Sequence, residues 1–135
     1  MSEVEANKQV VRAYVAAFNR GDLAALRNLF APDAQVQGVF GSGHMDKVVG
    51  LWKQLIDGLA VNLTIEELIG EGEIVAGRYT ERGTFRGAFF GNAPTGKSYE
   101  LVAMEWFSIR GGVIQRRWGA RDAASQARQI GLPLA

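Results

Sequence analysis

The sequence has no cysteine and a single histidine, His44, among its 135 residues. Disulfides, thiolate nucleophiles and cysteine-ligated metals are thereby excluded, and one histidine leaves a zinc or iron centre short of its usual donors. An excess of one charge is missing too. Fifteen Lys and Arg stand against fourteen Asp and Glu, a formal net charge of +1, so there is no electrostatic footprint for nucleic acid or an anionic membrane. No apolar run approaches the roughly 18 residues of a spanning helix. The polar, acidic start is unlike a secretion signal. The expectation is a cytoplasmic protein that works without metal or cofactor.

What is present is the composition of a globular domain, 47% apolar and 21% charged. The length suffices for one buried core, so residues 1–135 are expected to form a single domain. Ser2 with Glu5 fits a helix-capping box, and Val4, Val11, Tyr14, Val15 and Phe18 follow at helical spacing. Gly21 stops that helix, Asp22 caps a second one, and Pro32 with Asp33 is expected to end it. Ala34 to Phe40 reads as a short strand and Gly41 to His44 as a loop. Met45 to Leu59 is a helix with Val48, Leu51, Trp52, Leu55, Ile56 and Leu59 on one stripe. Asn62 to Ile69, Glu73 to Arg86, Lys97 to Ile109 and Val113 to Arg121 read as strands, with a tight turn at Gly111-Gly112. Helices first and long antiparallel strands afterwards give an α+β class: a curved, mostly antiparallel sheet wrapped around the N-terminal helices and enclosing a pocket.

Period-two reading of the strands selects the candidate chemistry. Val75, Tyr79, Glu81 and Phe85 share an inward face, as do Tyr99, Leu101, Ala103, Glu105, Phe107 and Ile109. On the last strand, Ile114, Arg116, Trp118, Ala120 and Asp122 form the more apolar face. Glu81, Glu105 and Asp122 thus look toward one cavity, where repulsion and lost hydration favour holding one of them protonated for acid/base work. The plainer readings are internal ion pairs with Arg78 or Arg116, and for Asp122 the N-cap of the Ala123 to Ile130 helix. Tyr14, Phe40, Trp52, Phe85, Phe107 and Trp118 would make a pocket for a flat apolar molecule, or simply core. His44 is placed beside them from a glycine-rich loop. Gly91 to Lys97 lacks the spacing of a phosphate loop and precedes a strand, which makes it a hairpin connection.

Phe18-Asn19-Arg20-Gly21-Asp22 with Leu29 to Asp33 resembles the opening of the nuclear-transport-factor-2-like superfamily. Gly83-Thr84-Phe85-Arg86-Gly87, Pro94 to Lys97, Ile114 with Trp118, and Asp122 with Gln129-Ile130-Gly131 resemble its SnoaL-like polyketide cyclase, or ester cyclase, branch. The resemblance implies a cone-shaped fold, cofactor-free intramolecular aldol chemistry, and Asp122 in the place of the family's catalytic aspartate. Two departures stand out: Phe85 and Glu105 occupy positions where members carry histidine. The expected activity is polyketide-cyclase-like acid/base catalysis by Asp122 and Glu105 on a small hydrophobic carbonyl compound. Tyr14, Phe40, His44, Trp52, Tyr79, Glu81, Phe85, Phe107 and Trp118 would bind it. The rivals are an isomerase or an epoxide hydrolase using Asp122 and Glu105 with Arg116 between them, and a non-catalytic ligand-binding module. The exposed sheet face is expected to pair two copies as a homodimer.

Overall fold

The computed structural model describes residues 1–38 and 41–133. The elements run α1 (Glu3–Asn19), α2 (Leu23–Asn28), β1 (Phe30–Gly38), β2 (Gly41–His44), α3 (Met45–Leu59), β3 (Asn62–Glu71), β4 (Ile74–Thr84), β5 (Ser98–Arg110), β6 (Val113–Arg121) and α4 (Ala123–Ile130). The six strands form one curved, open sheet in the order β2-β1-β6-β5-β4-β3. It is α+β and mostly antiparallel, the exception being the parallel pairing of β1 with β6.

Local chemistry explains most boundaries. Ser2 accepts the Glu5 backbone N–H at 3.1 Å and starts α1. Asp22 does the same for Ala25 at 3.0 Å and starts α2. Gly21, at φ 71, makes the corner between them. The buried stripe of α1, with Val11, Tyr14, Val15 and Phe18, lies against the concave side of the sheet. Burying each such side chain stabilises the fold by about 1.5–3 kcal/mol. The far end of α1 is fixed by Asn19, whose side-chain amide donates to Leu63 O at 2.9 Å and accepts from Leu63 N at 2.8 Å. This two-point contact also occupies backbone groups of β3, an edge strand.

Two expectations fail here. β1 begins at Phe30, with Pro32 and Asp33 inside it instead of ending a helix. A register shift between Phe30 and Gln35 leaves that stretch irregular, so the missing proline N–H costs no ladder bond. Gly41 to His44 is also a strand, which pairs with β1 from Gln35↔His44 to Gly38↔Gly41. A four-residue strand with two glycines carries no alternation to read.

Candidate active site

Helices α1 and α3 and the concave side of the sheet enclose a cavity of about 90 Å³. Phe18, Val48, Leu51 and Trp52 line its apolar part. At its polar end stand Tyr14 from α1, Tyr79 and Glu81 from β4, Glu105 from β5, and Arg117 and Arg121 from β6.

The two arginines reach the cavity through a β-bulge. Ile109 pairs with Ile114 while Ser108 pairs with Arg116, so Gln115 is the extra residue. One extra residue reverses which side chains face inward, a known use of bulges near functional sites. Ile114 is buried as expected, but beyond the bulge the inward positions are Arg117, Gly119 and Arg121. Arg116, Ala120 and Asp122 are exposed. Trp118, expected in the pocket, lies on the outer face, with the Arg116 guanidinium 4.5 Å from its ring centre.

Glu105 is the centre of the polar end. Its Oε2 accepts from the Tyr14 hydroxyl at 3.0 Å and from Arg117 Nη1 in a close ion pair. Its Oε1 is buried and makes no hydrogen bond of normal length, and neither do Arg117 Nε and the Tyr79 hydroxyl, which stands close enough to Glu105 for that carboxylate to raise its pKa. A buried polar atom without a partner is costly, and all three belong to residues that line the same cavity. Burial pulls the Arg117 guanidinium toward neutrality, but Glu105 together with Tyr14 and Tyr79 outweighs it and the net pKa is raised. Burial, followed by the charge of Glu105, raises the phenol pKa values of Tyr14 and Tyr79, so both remain O–H donors.

A second network lies beside the first. Glu81, 3% exposed, accepts from the Tyr99 hydroxyl at 2.6 Å and from Arg121 Nε at 3.0 Å, with Arg121 Nη2 closing the pair on its other oxygen. Burial and then Glu81 raise the Tyr99 pKa. Each buried acid therefore has its own guanidinium, so the expected crowding of unpaired carboxylates is not found. Their partners are Arg117 and Arg121, whereas Arg78 and Arg116 are exposed.

Of the predicted site residues, the fold brings Tyr14, Trp52, Tyr79, Glu81 and Glu105 around the cavity. Asp122 is exposed and caps α4, accepting Ser125 N–H at 2.9 Å. Asp122, Arg116 and Glu105 do not converge, since the first two face solvent. His44 is exposed at the start of α3 and makes no side-chain cap bond. Phe85 and Phe107 are fully buried outside the cavity lining, with Phe107 5.3 Å from Tyr14 between ring centres. Phe40 lies outside the described residues. Sequence reasoning missed Arg117 and Arg121; their signal was a second, opposite alternation in Arg117-Trp118-Gly119-Ala120-Arg121, readable only once the bulge is known. Among the described residues, no group of three potential ligands is placed to hold a metal ion.

The family model for SnoaL-like polyketide cyclases matches residues 8–130. Among solved structures, the chain is similar to IdmH from Streptomyces antibioticus, provisionally assigned as a polyketide cyclase, at 26% identity. That match has a TM-score of 0.81 and covers 93% of this chain and 99% of IdmH. AclR from Streptomyces galilaeus, provisionally a hydroxylase, is 23% identical with a TM-score of 0.87, over 98% of this chain and 86% of AclR. A nuclear-transport-factor-2-like protein of unknown function from Burkholderia pseudomallei is 26% identical with a TM-score of 0.79, over 96% and 98% of the two chains. No curated protein matches the chain.

Proposed function

The chain belongs to the SnoaL-like polyketide cyclase family, and from that premise we propose an enzyme that enolises a small hydrophobic carbonyl compound and closes a ring by aldol addition, with Glu105 as the base. The observation that carries this reading is the division of labour within one carboxylate. Oε2 is held by Tyr14 and Arg117, while Oε1 makes no hydrogen bond of normal length, in a residue that lines the cavity.

The step conserves charge within the site. Oε1 takes a proton from the carbon next to the substrate carbonyl, and the C–H electron pair becomes the enolate. Glu105 is then neutral, and the Arg117 charge it balanced is released to the enolate oxygen, with the Tyr79 hydroxyl as the second donor. The enolate carbon attacks a second carbonyl carbon of the same molecule. The alkoxide formed by that C–C bond recovers the proton from Glu105. Two carboxylates against two guanidiniums balance within the polar end, and Lys47 also lines the cavity. Tyr14 orients the base, and Asp122 supports the site through α4.

The test is deuterium incorporation. Small methyl ketones incubated with the protein in D2O should lose their α-proton signals faster than with heat-denatured protein. Equal rates for every ketone that binds would remove the reading.

The proposal extends to a second copy of the chain. Val102, Met104 and Trp106 stand 53%, 53% and 51% exposed on the outer face of β5, beside Trp118, the register partner of Trp106. An apolar strip of this kind marks an interface.

A further inference from the structure

Glu105 stands between two glycines, Gly77 on β4 and Gly119 on β6, each its direct register partner. Neither has a positive φ, so neither is there to permit a turn, and a strand-interior glycine is weaker than alanine. Space is the remaining reason. A Cβ at Gly77 would lie 2.9 Å from the ring and hydroxyl of Tyr79. A Cβ at Gly119 would collide with Arg117 Nη1 and stand 3.7 Å from Glu105 Oε2.

We propose that Gly119 is a positioning residue for Glu105: by withholding a Cβ it gives the Arg117 guanidinium its seat, from which Arg117 holds Oε2 and leaves Oε1 to the cavity. The two obstacles differ in kind. At Gly77 the atoms in the way belong to a ring 1% exposed. At Gly119 the obstacle is the far end of a flexible side chain, so alanine there displaces Arg117 without breaking the strand. The groups in contact or charge interaction with Glu105 are Tyr14 from α1, Tyr79 from β4 and Arg117 from β6, and Lys47 from α3, Glu81 from β4 and Arg121 from β6 share the cavity lining; of these, the Gly119 Cβ position meets Arg117 first. The inference rests on Glu105 being the base, but its test needs no turnover.

The experiment is a cycle of Gly119→Ala in the natural chain and in an Arg117→Ala background. Alanine should lower the melting temperature in the first and leave it unchanged or raise it in the second, since without the guanidinium only the entropic gain remains. A fall of equal size in both would overturn the proposal. If Gly119→Ala alone does not fold, folding of the double variant supports the proposal and its failure overturns it. Arginine side-chain NMR adds a readout of position. A resolved Nη signal pair, assigned by its loss in Arg117→Lys, should vanish in Gly119→Ala while the backbone spectrum of β4 and β5 persists. Persistence of the pair would overturn the proposal and leave the reading of Glu105 intact. Its disappearance with unchanged ketone exchange would uphold the seat and overturn the reading.

Discussion

The Tyr14 hydroxyl donates to Glu105 Oε2 at 3.0 Å, across 91 positions of sequence. This bond joins the first helix to the centre of the sheet at the point where the chemistry is proposed. Tyr14→Phe deletes the hydroxyl while retaining the ring that meets Phe107 edge-on. A hydrogen bond to a charged group contributes about 1.5–3 kcal/mol, and urea unfolding of this variant should show a loss in that range. No measurable loss would mean that the bond does not hold α1 to the sheet.

The chain has three tyrosines, and all three sit in these two networks with raised pKa values, first through burial and then through a neighbouring glutamate. A phenol whose pKa is higher folded than unfolded stabilises the fold fully below the unfolded value. That stability is lost as pH rises past about 10. Stability should therefore fall above that pH, and the tyrosinate absorbance should appear together with loss of circular dichroism. Tyrosinate forming in a still-folded protein would contradict the burial of these hydroxyls.

Asp122 is predicted to act through α4. Asp122→Ala removes the acceptor for Ser125 N–H and should cost about 1 kcal/mol, the usual value of a lost cap. Ketone exchange per folded molecule should persist. Abolished exchange at full stability would return Asp122 to the chemistry.

How far the sequence could be read follows from where its alternation is regular. Helix α3 (Met45–Leu59) and strand β6 (Val113–Arg121) have the expected ends, because the apolar stripe bounds the first while the Gly111-Gly112 turn and the Asp122 cap bound the second. The inner faces of β4 and β5 were legible for the same reason, and with them Tyr79, Glu81 and Glu105. β6 was misread because one inserted residue, Gln115, inverts the parity of everything after it. Its arginines also looked like solvated charge until the glutamates opposite them were placed. The inward placement expected of Asp122 failed with the same parity error, its capping role being the local signal that survived.

The outer face of β5 yields a prediction about assembly. Trp106→Asp places a charge in the exposed apolar strip and should convert a dimer to a monomer in sedimentation velocity. The melting temperature at high dilution should change little. A natural chain that sediments as a monomer at all concentrations would contradict the proposed pairing.

The role of Glu105 is tested most directly by α-proton exchange of a small methyl ketone in D2O, measured for the natural chain, Glu105→Gln and Asp122→Ala. General base catalysis contributes about 10²–10⁴-fold. Exchange should fall by at least about 10²-fold in Glu105→Gln, with its fold verified by circular dichroism, and persist in Asp122→Ala. Undiminished exchange in folded Glu105→Gln, or its loss in Asp122→Ala alone, would contradict the account.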